Sequence, residues 1–466
     1  MDTQHQPVVA VAGASGFIGQ SLPSSDSLFR WVGLTRGRAG GTAYQEMRVC
    51  DLFSLADTER ALSGAKYAVY LVHSMLPSAK LVQGSFEDFD YLCADNFARA
   101  AERVGVEQIV YVSGLQPEGS RISKHLESRE EVERVLGSRG VPVTILRAGL
   151  VIGAGGSSFE ILARLVQRLP FLVTPTWTRT KTQPIALTDM IKLLHYVLGR
   201  SSTFGETYDV GGPEVLTYQQ MMDITARELQ IPRPMMGVPL LSPQLSTLWV
   251  SLVTGAPREL VGPLIRSMTV PMVAKDRRLQ DAANVPGETF VDAIRDAVKH
   301  GQTKAEGPER PTNASAPVAY QKAPTSLTGN RVRSIQRLPL PPGKDAAWVA
   351  EEYMRWAETL RGLRCTVKEG RCTFYLGRSK TPLLHLTFDE GESDPDRQTF
   401  RVSGGALALR DENGKLEFRV SYDRKWVFSY VHDFRPRLPW PVYENTQAIG
   451  HLFVMSAFGK HLARFT

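Results

Sequence analysis

No apolar run in this 466-residue chain approaches the ~18–20 residues that a membrane-crossing helix needs. The stretch Leu248-Trp249-Val250-Ser251-Leu252-Val253 is far too short. Met1 to Pro7 is polar, carries no Lys or Arg, and leads into no export-type apolar region. Cysteine is rare. Four residues in so long a chain exclude a disulfide framework, and Cys365 and Cys372 are read as reduced core thiols rather than a bridge or a metal site. His432, His451 and His461 show no metal-ligand spacing. A cytoplasmic protein without a bound metal is the expectation.

What is present supports folded domains. A hydrophobic fraction of 42% beside 22% charged is enough to build buried cores and argues against wholesale disorder. Charge is unevenly placed: Met1–Gln302 carries 30 Lys+Arg against 30 Asp+Glu, while Thr303–Thr466 carries 25 against 18. The whole basic excess therefore lies in the C-terminal third. It is read either as a surface for an acidic ligand or for peripheral contact with an anionic membrane, or as an ordinary solvated face; nucleic acid is not expected.

Composition also marks the division. Residues 303–328 are rich in Pro, Gly, Ser, Thr and Ala and have no periodic apolar face, so they read as a linker between a domain over 1–302 and one over 329–466. In the first domain short apolar strands alternate with helices. The strands are Val8–Ala12, Trp31–Leu34, Ala68–Val72, Gln108–Val112 and Val143–Arg147, and the helices include Phe86–Val104 and Ser123–Ser138. That alternation predicts an α/β, Rossmann-type parallel sheet with helices on both faces. The second domain reads as α+β. A helix from about Asp345 shows Val349, Tyr353, Trp356 and Leu360 on one face. Alternating strands follow around Cys372–Leu376, Leu384–Phe388 and Leu416–Tyr422. A closing helix over Trp440–Phe465 places Ile449, Leu452, Met455, Gly459 and Leu462 in one arc. This order resembles the START-type helix-grip fold.

The strongest chemical signal is Val8-Val9-Ala10-Val11-Ala12-Gly13-Ala14-Ser15-Gly16-Phe17-Ile18-Gly19, an apolar strand, a G-x-x-G-x-x-G turn and a helix start. Gly13 and Gly16 let the backbone approach a pyrophosphate, and Gly19 lets helix and strand pack closely. Ser15, Phe17 and Ile18 lie within the same turn. The second strand ends in Thr35-Arg36-Gly37-Arg38, where an NAD site would carry an acid for the adenosine ribose. Arg36 suits a 2′-phosphate instead, so NADP(H) is favoured over NAD(H). Asp51 and Leu52 follow the next strand and suit the adenine edge.

These motifs resemble the short-chain dehydrogenase/reductase superfamily, in its atypical NmrA-like and NAD(P)H-binding epimerase-like branch. The resemblance rests on Gly13–Gly19, Asp51-Leu52, Tyr70–Met75, Asn96–Ala101, Ile109–Ser113, Gly140–Arg147, Pro184–Asp189 and Gly211–Glu214, and covers about Val8 to His300. It implies that Val72, His73, Ser113 and Gly114 border the nicotinamide. It also exposes a departure, because no Tyr here is followed four residues later by the Lys on which the family's redox members rely. The matching helix offers His125 and Arg129, an i, i+4 pair on one face. His125 is read either as a protonated imidazole donating to a carbonyl or as a solvated helix residue. Arg129 is read as a cofactor contact or a surface charge. After the sixth strand, Gly153–Phe159 would border a substrate pocket, with Trp177 and Gln183 beyond it.

Three functions fit. The first is an NADP(H)-dependent reductase or epimerase acting on a small apolar carbonyl substrate. The second is a non-catalytic NADP(H) sensor or scaffold, and the third a hydrophobic-ligand or lipid binder acting through the C-terminal domain.

Overall fold

The computed structural model describes residues 6–24, 28–37, 43–73, 81–117, 123–238, 243–256, 258–303, 331–360, 362–368, 370–410 and 413–466. Arg38 and nearly all of the 303–328 linker lie outside these. Contacts divide the chain into two units, one of residues 1–76 and 90–321 and one of residues 77–89 and 322–466.

The first unit is a seven-stranded parallel sheet. Its strands are β1 (Val8–Ala12), β2 (Arg30–Thr35), β3 (Glu46–Val49), β4 (Tyr67–Tyr70), β5 (Gln108–Gly114), β6 (Val143–Ala148) and β7 (Thr207–Val210). The spatial order is β7-β6-β5-β4-β1-β2-β3. The chain runs outward from β1 through β2 to β3, then crosses to β4 on the opposite side of β1. That reversal leaves a crevice beyond the carboxyl ends of β1 and β4, the place where open α/β sheets hold ligands. Strands β4 and β5 are apolar almost throughout because helices cover both their faces, and all their residues but Gly114 are buried. Val9, Val11, Val69, Val110 and Leu146 join across the sheet into one core.

Local chemistry sets the ends of the flanking helices. Helix Lys124–Leu136 starts where the Ser123 hydroxyl accepts from the Leu126 N–H, and Gly140, at φ +82°, turns the chain into β6. Helix Tyr218–Glu228 opens on a reciprocal cap between Thr217 and Gln220. The helix after the glycine turn is only Phe17–Ser21. Strand β4 ends at Tyr70, so Val72 and His73 lie beyond the strand rather than on it. Strand β7, whose four residues include Thr207 and Asp209 and so show no apolar run, is not among the strands read from the sequence.

The second unit is an antiparallel sheet with helices. Its strands are β8 (Val332–Pro339), β9 (Leu363–Lys368), β10 (Arg371–Leu376), β11 (Pro382–Phe388), β12 (Arg397–Gly404), β13 (Lys415–Val420) and β14 (Trp426–Phe434). They lie in the order β9-β10-β11-β12-β13-β14-β8, and the short strand Leu81–Gln83 adds to the free edge of β8 in parallel. Alternation along β13 sends Leu416, Phe418 and Val420 into the apolar core. The opposite side carries Glu417, ion-paired with Arg397 at 3.0 Å and Arg419 at 2.6 Å. Further pairs join Arg333 to Asp433, Lys415 to Glu392 and Arg401 to Asp389. Several basic side chains of the C-terminal third are thus engaged internally.

Helix Ala346–Ala357 begins at Asp345, whose carboxylate accepts from the Trp348 N–H at 2.8 Å, and it ends before Leu360. Three expectations need correction here. The closing helix is two helices, Trp440–Asn445 and Gln447–Leu462, because Thr446 (φ −130°, ψ −79°) breaks it. Its buried arc is Ala448, Met455, Phe458, Gly459 and Leu462, whereas Ile449 is 57% exposed. At about 100° per residue, Ile449 lies far round the helix from that arc. Finally, Cys365 and Cys372 form a disulfide between the paired strands β9 and β10, whose register sets them diagonally, Cys365 facing Phe374 and Cys372 facing Val367. Among the described residues no helix is long and apolar enough to cross a membrane.

Because Leu81–Gln83 belongs to the second unit's sheet, cutting the 303–328 segment leaves that sheet assembled from both fragments. Limited proteolysis is expected to give fragments of about 300 and 140 residues, since linkers are the preferred nicking sites. These should co-elute on gel filtration and separate only in denaturant. Separation under native conditions would contradict the insertion.

Candidate functional site

The glycine turn is built by close approach. Gly13 sits at φ +89°, and a Cβ there would lie 3.0 Å from the Leu71 carbonyl oxygen, just past β4. The Gly16 N–H donates to the Gly13 carbonyl at 2.9 Å, closing the turn. A Cβ on Gly19 would come within 2.3 Å of the same carbonyl, so nothing larger than glycine fits against the loop. The Tyr44 hydroxyl donates to the Gly19 carbonyl at 2.6 Å and ties the short helix down.

Above this turn lies a cavity of about 340 Å³. Of the residues singled out from the sequence, Gly13, Gly16, Phe17, Ile18, Gly19, His73, Ser113, Gly114, His125 and Arg129 all line it. Ser15 is exposed at the turn, its carbonyl accepting from the Gln20 side chain. Arg36 is exposed immediately after β2. Asp51 directs Oδ1 to the Phe53 N–H at 3.2 Å, and Leu52 is buried with its carbonyl held by Asn96 at 2.8 Å. Ser15, Arg36, Asp51, Leu52 and Val72 are not part of the cavity wall.

The polar wall is a network around Arg129. Its guanidinium donates to the Val112 carbonyl at 3.2 Å, to the Tyr111 hydroxyl at 3.4 Å and to His73 Nε2. On the other side of the His73 ring, Nδ1 lies 3.4 Å from Asp90 Oδ2. A ring that accepts at Nε2 must carry its proton on Nδ1, directed at the carboxylate. Burial, assisted by the charge of Arg129, holds His73 well below the usual histidine range, in keeping with that neutral form. His73 therefore has no proton to give the cavity and serves to position Arg129.

His125 stacks on His73 with ring centroids 5.5 Å apart. Burial, reinforced by Arg129 and Arg266, pushes its imidazole down to about 3. The protonated donor considered from the sequence is thus absent near neutrality; a neutral ring with one N–H faces the cavity instead.

Two buried polar atoms of the wall, Ser113 Oγ and Arg129 Nε, have no hydrogen-bond partner. Such groups are costly to leave unmade. Together with the glycine cradle they fit a polar ligand such as a nicotinamide dinucleotide. Among the described residues no group of His, Cys, Asp and Glu is arranged to hold a metal.

Sequence reasoning missed Tyr218, Ser267, Met268 and Met272, which complete the wall. The Thr217–Gln220 cap announces a helix starting at Tyr218 but not what that helix faces. The Tyr218 ring meets Trp177 edge-on at 6.1 Å, its hydroxyl lies beside Thr182, and burial raises its pKa well above the usual phenol value. The phenol stays protonated. Trp177 donates to Ser246 at 3.2 Å, while Gln183 ties Gly212 to Ala274. Neither lines the cavity; both hold the walls that do. Of the segment after β6, Gly156 and Ser157 reach the cavity.

No family model matches the chain. It is 28% identical over 142 residues to auxiliary protein GraX of Staphylococcus aureus, across 30% of this chain and 43% of that protein. It is likewise 28% identical over 142 residues to the mitochondrial NADH dehydrogenase [ubiquinone] 1 alpha subcomplex subunit 9 of Arabidopsis thaliana, across 30% of this chain and 35% of that one. The chain thus spans less than half the length of the curated relatives it matches. A solved nucleoside-diphosphate-sugar epimerase from Staphylococcus aureus superposes with a TM-score of 0.50 at 14% identity, covering 62% of this chain and 99% of that one. That likeness is one of fold.

The depressed His73 and His125 make stability depend on pH in a defined direction. Their unfolded forms take up protons below about 6.5, while the folded forms resist until much lower pH. Stability should therefore fall as pH drops from 6.5 toward 4. The urea midpoint at pH 5 should lie below that at pH 7, and His125→Phe should narrow the gap. An unchanged gap would show that His125 is not held neutral.

Proposed function

We propose that the first unit, which has the fold of the atypical short-chain dehydrogenases and reductases, binds NADP(H) in the crevice beyond β1 and β4. There it would reduce, or epimerise by way of a carbonyl, a small apolar substrate in the cytoplasm. The observation that carries this reading is the pairing of the glycine cradle with two unpartnered buried atoms, Ser113 Oγ and Arg129 Nε, on one cavity wall.

Bound nicotinamide would supply or accept a hydride; the rest falls to the chain. The backbone of Gly13, Gly16 and Gly19 leaves room for the pyrophosphate. Arg36 replaces the ribose-binding acid and favours a 2′-phosphate. Arg129 is the fixed positive charge of the site, fastened by Val112, Tyr111 and His73, and it would hold the cofactor's ribose or carboxamide. Tyr218, kept protonated by burial, and the neutral His125 N–H are the donors that can orient a carbonyl oxygen. Phe17, Met268 and Met272 supply an apolar wall for the rest of the substrate.

A second reading is favoured by one feature, the depressed His125. A site with no acid of near-neutral pKa suits a protein that senses or carries the cofactor without turning it over. The relatives named above, an auxiliary protein and a subunit of a dehydrogenase, are in keeping with that role.

Isothermal titration should find NADPH bound more tightly than NADH, and Arg36→Glu should reduce or reverse the preference. A wild type preferring NADH would overturn the assignment of Arg36. Arg129→Ala is expected to weaken NADPH binding by about 1.5–3 kcal/mol, the worth of a charge-assisted hydrogen bond. Stopped-flow oxidation of bound NADPH against a panel of apolar carbonyls separates the readings. Turnover that falls ~10²-fold or more in His125→Phe would mark an enzyme that relies on that ring to orient the substrate carbonyl. No turnover on any member would leave the sensor.

A further inference from the structure

The second unit encloses a cavity of its own, of about 330 Å³. Its floor is the inner face of the antiparallel sheet, where Phe374, Leu384, Leu386, Val402, Leu416 and Val431 present apolar side chains. Its roof is the helix Gln447–Leu462. Two residues of that helix, Gln447 and His451, stand one turn apart and both line the cavity. Gln447 Oε1 and His451 Nε2 are buried and have no hydrogen-bond partner. Of the other polar side chains of the wall, Lys415, Ser334 and Gln83 are already engaged. Lys415 Nζ lies 2.7 Å from both carboxylate oxygens of Glu392, and Ser334 accepts from Gln336 at 2.7 Å. An apolar chamber with two adjacent unmet polar atoms is an unfavourable arrangement for an empty core, and a ligand that pairs with both would relieve it.

The chemistry of the two atoms narrows the ligand. The Gln447 amide oxygen only accepts, so the ligand must bring a proton. Burial pushes His451 down to about 4, so its ring is neutral at pH 7 and offers no charge to a carboxylate. A carboxylate would also set its oxygens against Gln447 Oε1. A hydroxyl satisfies both atoms, donating to the amide oxygen while accepting from, or sharing its proton with, the imidazole.

We propose that this cavity binds a hydroxylated apolar molecule of on the order of ten heavy atoms, judged from ~30 Å³ for each. Its hydroxyl sits between Gln447 Oε1 and His451 Nε2, and its apolar body lies on the sheet. The site is independent of the dinucleotide crevice and of whatever reaction occurs there.

Titration of the full chain with n-nonanol, nonanoate and nonanal tests the assignment. We expect one n-nonanol per chain, bound about three- to tenfold more tightly than nonanal or nonanoate, the worth of the donated hydrogen bond. Gln447→Leu, a change at a half-buried position of similar size, should remove that preference while leaving NADPH binding intact. Leu384→Trp should fill the chamber and abolish alcohol binding. Should Leu384→Trp fail to fold, Gln447→Leu and His451→Leu decide the matter. The proposal is overturned if n-nonanol does not bind up to its solubility limit, if nonanoate or nonanal binds as well, or if both helix variants keep the alcohol preference.

Discussion

The distance between the turn after β1 and the end of β4 governs the first unit. Gly13 is pressed so near the Leu71 carbonyl that a methyl group would be in tight contact, and the Leu71 N–H completes the ladder by donating to Ala12 at 2.9 Å. That approach keeps the turn compact enough for Gly16 to bond back to Gly13 and for Gly19 to seat against the same carbonyl. The consequences spread outward. The chain leaving β4 is aimed so that His73 enters the crevice, and the cavity opens where the sheet order reverses. A larger residue at Gly19 would have to move backbone rather than a flexible side chain, which makes this the least forgiving part of the unit.

The electrostatic character of the crevice follows from how Arg129 is held. A guanidinium fixed at three points is a strong charge of settled position, and it adds to the burial that depresses both histidines beside it. The resemblance to short-chain dehydrogenases makes the helix-borne pair His125 and Arg129 look like a replacement for the family's Tyr and Lys. The geometry changes that substitution. Arg129 can stand in for the cation, but burial, reinforced by its charge, deprives His125 of the proton an acid would need. Tyr218, from a different part of the chain, lines the crevice too, but its hydroxyl is buried beside Thr182.

The second unit shows how alternation serves two purposes in one strand. On β13 the apolar residues build the core beneath the helices, and the charged ones form buried ion pairs on the other side. A carboxylate as deeply buried as Glu417 is kept ionised because Arg397 and Arg419 outweigh the cost of its burial. Gln447 Oε1 and His451 Nε2 stand apart from these pairs as buried atoms of the cavity wall without partners.

Much of this was legible in the order of residues. The strand, glycine turn and short helix at Val8–Ser21 follow from local backbone requirements, as do the caps at Ser123 and Asp345. The buried strands announce themselves because a sheet covered on both faces tolerates little but apolar side chains. Ten of the individually named site residues do share one cavity. The rest depended on pairings distant in sequence, which no local pattern encodes. Tyr218 and Met272 reach the crevice only through the packing of later elements, and His73 meets Arg129 across 56 residues. The link between Cys365 and Cys372 needed the register of β9 on β10, and Leu81–Gln83 joined a sheet whose other strands begin some 250 residues later. The sequence by itself settled the glycine turn, the buried central strands and the caps named above, since those choices are made within a few residues. Only the tertiary structure decided which polar atoms find partners, because a partner is set by register and packing across the whole chain.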